Sequence, residues 1–218
     1  MALREFGICG MNRAVFLDRD GILNVDRGYT FRKADLLVPE GVPEALQRLK
    51  VNGFHLVVIT NQSGIARGKF GLADVDTFHE ALQAEIQRRG GPRLDLFRIC
   101  PHHPDGTVVP FNIECECRKP GTLLISTACD ALNIDPSKSF LIGDKWSDVL
   151  CGLRVGARPF LVQNPQGLAY DLPDDVSLLR ADDPAGRTIR IATSVITGDV
   201  EVYSSLSDVV SRILGLSD

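Results

Sequence analysis

Val15-Phe16-Leu17-Asp18-Arg19-Asp20-Gly21 decides how the rest of this 218-residue chain is read. A short apolar run ends in two carboxylates separated by one residue and followed by a glycine. Residues two apart on an extended strand point to the same side. Asp18 and Asp20 are therefore expected to face one small volume beyond the strand end, where open α/β sheets bind their ligands. Two acids aimed at one point repel each other unless a metal ion or a proton lies between them. The same letters also suit a plain turn, since Asp and Gly both favour turns. The surroundings have to decide.

Three later stretches repeat the pattern. Val57-Val58-Ile59-Thr60-Asn61-Gln62-Ser63-Gly64 is an apolar strand running into small hydrogen-bonding side chains, with Thr60 and the following backbone N–H groups suited to phosphate oxygens. Arg118-Lys119-Pro120-Gly121 stands ahead of a helix and offers a point positive charge to a phosphoryl group. Phe140-Leu141-Ile142-Gly143-Asp144-Lys145-Trp146-Ser147-Asp148 ends a strand in one acid, with another four residues on. Carboxylates from two strand ends suit Mg²⁺, which prefers oxygen ligands and keeps several waters. Taken singly, each stretch has a plainer explanation: a polar strand end, a solvated basic turn, or acids that cap a helix.

Between these stretches, short apolar runs alternate with helical periodicity. Strands are predicted at Ala14–Leu17, Phe54–Ile59, Leu94–Ile99, Ser139–Ile142 and Arg158–Val162, the last closing the core. Helices are predicted at Val42–Val51, Asp74–Arg89, Leu123–Leu132 and Ser147–Val155. Strands this short and apolar, separated by helices, predict an α/β fold: a Rossmann-like, mostly parallel sheet covered on both faces. From 164 to 187 the chain is rich in Asp, Pro and Gly and reads as irregular. Thr188–Ile196 and Val200–Ser204 read as a small hairpin turning through Thr197-Gly198-Asp199, and Ser207–Leu214 as a closing helix. The division expected is an α/β core over 13–163 and an extension over 164–218 to which the sequence assigns no role.

Composition narrows the function classes. With 44% hydrophobic and 24% charged residues the chain is an ordinary globular one, and its net charge of -4 argues against a nucleic-acid partner that needs a broad basic surface. No run reaches the ~20 apolar residues of a membrane span, and Met1 to Arg13 does not read as a signal peptide. Three of the six cysteines fall within eighteen residues, which suggests a metal site in a reducing cytoplasm rather than a disulfide framework. Cys100-Pro101-His102 and Cys115-Glu116-Cys117 together supply three thiolates and an imidazole, a closed tetrahedral set for structural Zn²⁺. His103 competes with His102 for the ligand role, whereas His55 and His79 read as structural or solvated. Metal binding would order a loop that has no core of its own and deliver it into Arg118-Lys119.

The order of the motifs is more specific than any one of them. Asp-x-Asp, a strand-end Thr, Lys, and Gly-Asp-x-x-x-Asp follow one another as in the haloacid dehalogenase (HAD) superfamily of phosphotransferases, which the chain resembles over roughly residues 13 to 163. With the Cys/His loop, Asp26-Arg27-Gly28-Tyr29 and Thr60-Asn61-Gln62-Ser63, the chain is similar to the D-glycero-D-manno-heptose 1,7-bisphosphate 7-phosphatases. These are cytoplasmic bacterial enzymes that serve lipopolysaccharide or other surface-glycan synthesis and have a minimal cap. The resemblance implies Asp18 as nucleophile, Asp20 as acid/base, and Thr60 and Lys119 as holders of the phosphoryl group. It implies Mg²⁺ on Asp18, the Asp20 carbonyl and Asp144, with Asp148 and Lys145 supporting that shell or Lys119. It further implies Zn²⁺ on Cys100, His102, Cys115 and Cys117. Asp26 to Tyr29, Thr60 to Ser63, Arg118 and Lys119 would bind a small phosphorylated sugar, and a monomer is expected. The related histidinol-phosphate phosphatases have a shorter gap between the ligand pairs. A non-catalytic zinc-stabilised phosphosugar-binding module would have no need of the nucleophile. Here Lys119-Pro120-Gly121 is contiguous, a shorter join than the family usually has, so a displaced lysine or a tighter turn is expected.

Overall fold

The central core strands form because their side chains are buried on both faces, while the edge strand at Leu96–Cys100 is half-buried. In a computed structural model describing residues 11–162, 177–180, 188–194 and 196–216, β1 (Ala14–Leu17) is solvent-free throughout. Val15 and Leu17 enter one core, while Ala14 and Phe16 enter the core on the opposite face. β2 (His55–Asn61) divides in the same way, with Leu56 and Val58 on one side and Val57 and Ile59 on the other. Burial on both faces explains why these strands read as unbroken apolar runs rather than alternating ones.

The first core is covered by α1 (Val42–Val51) and α2 (Leu72–Arg88), and the second by α3 (Leu123–Leu132) and α4 (Trp146–Val155). With β3 (Leu96–Cys100), β4 (Phe140–Gly143) and β5 (Arg158–Val162), the parallel part of the sheet runs in the order β3-β2-β1-β4-β5. The order reverses at β1: the chain passes to one side of it for β2 and β3 and to the other side for β4 and β5. That switch point opens a crevice at the carboxyl ends of β1, β2 and β4.

The sheet does not stop at β5. β6 (Ser177–Arg180), β7 (Thr188–Ala192) and β8 (Thr197–Tyr203) extend it to eight strands, with β8 parallel to β5, and β7 and β6 added antiparallel. Two expectations are corrected here. Within 164–187, Ser177–Arg180 is a strand rather than irregular chain; the rest of that stretch, like Cys9, lies outside the described residues. The hairpin turns between Ala192 and Thr197, closed by Thr193 N–H donating to the Ile196 carbonyl at 2.7 Å, and not through Thr197-Gly198-Asp199. Gly198 belongs to β8 because a Cβ there would lie 2.5 Å from the Leu153 side chain. The glycine serves a close approach of strand and helix, which its composition disguised as a turn.

α5 (Leu206–Leu214) folds back onto α1, with Val209, Val210 and Ile213 fully buried in the first core beside Phe160 and Val162. The segment after 163 therefore completes the sheet and one face of its core. No helix among the described residues is long and apolar enough to cross a membrane. Removing most of a side chain from this packed layer has a measurable cost: Ile213→Ala is expected to destabilise the protein by about 2–5 kcal/mol in urea denaturation. A value near zero would show that α5 is not part of the core.

Candidate active site

The crevice holds a cavity of about 420 Å³ lined by residues from every motif, among them Asp18, Asp20, Thr60, Lys119, Lys145 and Asp148. Asp18 continues β1 by donating its N–H to the Ile142 carbonyl at 2.9 Å. Its carboxylate meets Lys119, whose Nζ lies 2.8 Å from Asp18 Oδ1, 2.6 Å from Asp148 Oδ1 and 2.8 Å from the Ile59 carbonyl. Asp18 and the Ile59 carbonyl accept hydrogen bonds from the buried ammonium, and Asp148 adds a second ion pair. Burial opposes its charge, but the Asp148 and Asp18 carboxylates outweigh that and hold the lysine above its ordinary pKa. The contiguous Lys119-Pro120-Gly121 join does not draw the lysine away. It tightens the turn instead, with Gly121 N–H donating to the Arg118 carbonyl at 2.6 Å. Only glycine fits there, since a Cβ would stand 2.3 Å from the Glu116 carbonyl oxygen.

The tip of β2 fastens the lysine from the other side. Asn61 Nδ2 donates to the Lys119 carbonyl at 3.1 Å, and Asn61 Oδ1 accepts from the Lys119 N–H at 3.0 Å. Gln62 Nε2 donates both to Thr60 Oγ1 and to Asp20 Oδ2, each at 2.9 Å. Asp148 has two duties, because its second oxygen accepts the Lys145 N–H at 3.1 Å and caps α4. One side chain thus both caps α4 and faces the Lys119 ammonium.

The two acids of the opening motif do not share one positive charge. Asp18 pairs with Lys119, whereas Asp20 is held by Arg19 Nη2 at 2.7–2.8 Å and by Asn24 Nδ2 at 2.9 Å. The carboxylates that approach within 4.8 Å of one another are those of Asp18, Asp144 and Asp148. Burial, then Asp18 and Asp148, pushes Asp144 up to about 8, and its Oδ1 is buried without a hydrogen-bond partner. Burial likewise raises Asp18, to about 6, against the pull of Lys119. An orphaned oxygen in a buried cluster of acids is the environment a hard divalent cation satisfies, so this donor set fits Mg²⁺. Gly21 leaves room for it: its φ is +89°, and a Cβ there would lie 2.3 Å from Asp144 Oδ2.

Asp26, Gly28 and Tyr29 line the mouth of the cavity, as do Asn61, Ser63 and Arg118, while Arg27 does not line it. Asp26 Oδ1 accepts the Gly28 N–H at 2.9 Å, and Tyr29 takes a φ of +56°, a strained conformation for a side chain of that size. Beneath the loop, Phe31 stacks on Phe70 with ring centroids 4.8 Å apart.

Cys100, His102, Cys115 and Cys117 converge at the end of β3, with all four donor atoms within 4.8 Å of one another. Cys100 Sγ is 3.5 Å from Cys115 Sγ, Cys115 Sγ is 3.2 Å from Cys117 Sγ, and His102 Nδ1 is 3.2 Å from Cys117 Sγ. Bonds of about 2.3 Å to sulfur and about 2.0 Å to nitrogen give tetrahedral edges of about 3.5–3.8 Å. The set therefore fits Zn²⁺. His103 stands outside it: its Nδ1 accepts the Asp105 N–H at 3.1 Å, and its ring lies against Arg67. The loop is tied to the body where the N–H groups of Thr107 and Val108 donate to the Ala66 carbonyl.

Known proteins bear on this geometry. A HAD-hydrolase-like family model matches residues 116–175. D-glycero-beta-D-manno-heptose-1,7-bisphosphate 7-phosphatase of Escherichia coli K12 is 46% identical over 136 residues, 62% of this chain and 71% of that protein. The protein of the same name from Helicobacter pylori is 43% identical over 156 residues, 71% of this chain and 86% of its own length. The crystal structure of D,D-heptose 1,7-bisphosphate phosphatase from B. bronchiseptica, complexed with magnesium and phosphate, superposes with a TM-score of 0.71 at 25% identity. It covers 94% of this chain and 99% of that one.

The close fit of Gly143 gives a test of the lysine clamp. A Cβ at Gly143 would stand 2.3 Å from the Asp148 side chain. Gly143→Ala is expected to lower stability by about 1–3 kcal/mol through overpacking in thermal or chemical denaturation. An unchanged melting curve would mean that Asp148 is not confined as described.

Proposed function

Because the chain belongs to the D-glycero-D-manno-heptose 1,7-bisphosphate 7-phosphatases, a family of HAD-like hydrolases, we propose that this cavity removes the C7 phosphate of that sugar bisphosphate and leaves the anomeric phosphate in place. The observation that carries the residue assignment is the convergence of Asp18, Asp20, Thr60 and Lys119 on one cavity of about 420 Å³, a size suited to a small ligand.

The Asp18 carboxylate attacks phosphorus in line and becomes an aspartyl phosphate. Asp20 gives a proton to the departing C7 oxygen, then takes one from the water that attacks the phosphorylated Asp18 and frees phosphate. Lys119 and Thr60 hold the phosphoryl oxygens as charge moves onto them. The Asp18 and Asp144 carboxylates and the Asp20 carbonyl would hold Mg²⁺, which would supply charge offsetting both the clustered acids and the phosphoryl group. Asp148 keeps Lys119 aimed, and Lys145 balances the acids around it; burial opposes the Lys145 charge, but Asp144 and Asp18 outweigh it and raise its pKa. Asp26, Gly28, Tyr29, Asn61 to Ser63 and Arg118 hold the sugar.

Cys100, His102, Cys115 and Cys117 bind a structural Zn²⁺. Burial pushes the Cys100 thiol up, and a bound cation would reverse that. Five cysteines among the described residues are free thiols, which accords with the cytoplasm as the compartment. We assign the catalytic core to 13–163 and a structural, sheet-completing role to the described parts of 164–218.

Asp18→Asn is expected to abolish phosphate release from the heptose bisphosphate while leaving the melting temperature within a few degrees. Unchanged turnover would refute the nucleophile. Phosphorus NMR of the wild-type product should show the anomeric phosphate retained; cleavage at C1, or a preference for histidinol phosphate, would overturn the substrate assignment. Metal analysis should find about one zinc per chain, as a Cys₃His set requires. Cys115→Ser should lose that zinc and melt earlier, and equal stability without zinc would refute the site.

A further inference from the structure

Arg19 stands between the two acids of the opening motif, and no step above uses it. Its side chain is fully buried, a costly position for a guanidinium unless its N–H groups find acceptors. Nε donates to Asp20 Oδ1 at 3.1 Å, and Nη2 donates to Asp20 Oδ1 and Oδ2 at 2.8 and 2.7 Å. The same Nη2 donates to the Thr30 carbonyl at 2.8 Å. On the far side Nη1 meets His79 Nε2 at 3.4 Å, and the Phe78 ring lies 4.6 Å from the guanidinium carbon. His79 is itself stacked on Phe97 with centroids 4.5 Å apart. Burial, then the Arg19 charge, pushes His79 down to about 3, so the ring is neutral and its Nε2 accepts.

We propose that Arg19 is a positioning residue for the proton transfers of Asp20, seated in its own place by His79. The inference rests on the acid/base reading of Asp20. A proton donor must lie within about 3 Å of the leaving oxygen and be correctly oriented. A free carboxylate spends its time among several rotamers. The planar guanidinium fixes both the position and the plane of the Asp20 carboxylate, which a lysine's single ammonium cannot reproduce. The bond to Thr30 joins the same guanidinium to the Asp26–Tyr29 loop, since Thr30 Oγ1 accepts the Arg27 N–H at 3.1 Å. Acid and substrate loop are thereby held to one buried group.

Leaving-group dependence separates this role from a merely structural one. The ratio kcat/KM covers events up to phosphoryl transfer onto Asp18, so it reports Asp20 only as an acid. The sugar departs as an alkoxide and needs the proton; p-nitrophenyl phosphate departs as a stable phenolate and does not. Arg19→Lys is expected to lower kcat/KM for the heptose bisphosphate by about 10–100-fold, part of the full acid/base contribution, with little loss on p-nitrophenyl phosphate. His79→Phe removes the acceptor at Nη1 and should show the same split in smaller measure, and it decides the matter if Arg19→Lys does not fold. Asp20→Asn serves as the reference and should give the largest split. If Asp20→Asn lowers both substrates alike, the acid/base reading itself fails. If Asp20→Asn splits them but the folded Arg19 and His79 variants lower both alike or neither, that reading stands and the role of Arg19 is overturned.

Discussion

A buried ammonium organises this site. Lys119 is 3% exposed, and removing an isolated charge from water costs several kcal/mol unless its partners are well placed. Those partners come from three different elements: Asp18 beyond β1, the Ile59 carbonyl within β2, and Asp148 in the first turn of α4. Each strand must therefore reach its position before the charge is satisfied. The lysine arrives on a loop without a core of its own, held by the Asn61 amide on its backbone and ordered by the Cys/His cluster behind it.

Charge balance around the cavity follows from that constraint. Asp18 and Asp20 each have a private cation, Lys119 and Arg19 respectively. Lys119 also serves Asp148. Among the described residues the buried Asp144 Oδ1 has neither a hydrogen bond nor an ion pair, whereas Asp148 Oδ1, also without a hydrogen bond, faces Lys119. The surplus negative charge thus sits on the oxygen where a divalent ion does most to lower the energy.

Much of this was legible in the sequence. β1, β5, α1 and α3 end where their periodicity and apolar runs predict, because burial on two faces leaves an unmistakable pattern. The strand-end acids, Thr60, Lys119 and the converging Cys/His set could be named because chain order constrains them. Less legible was which acid pairs with which cation, since alternation along β1 places Arg19 opposite its neighbours while its guanidinium curls round to Asp20. An arginine between two acids, following an apolar strand, was the one available signal. Neither the backbone-holding role of Asn61 nor the packing role of Gly198 has any local signature, because each depends on a partner at least forty residues distant. The strands after 163 were hard to read because burial marks them weakly: in the five residues of β7 only Ile191 is fully buried and only Arg190 is exposed.

The placement of α5 has a consequence for how the protein comes into being. Every residue assigned to the cavity has been synthesised by Asp148, yet the core beneath the sheet is not covered until Val209, Val210 and Ile213 have joined it. Until then the edge of β5 lacks its neighbour β8, and Phe160 and Val162 lack their cover. An emerging chain thus carries the complete cavity lining on an open, sticky sheet, the kind of intermediate that associates with other chains or engages chaperones. For this protein the interval between making the chemistry and sealing the core is the vulnerable period of its life.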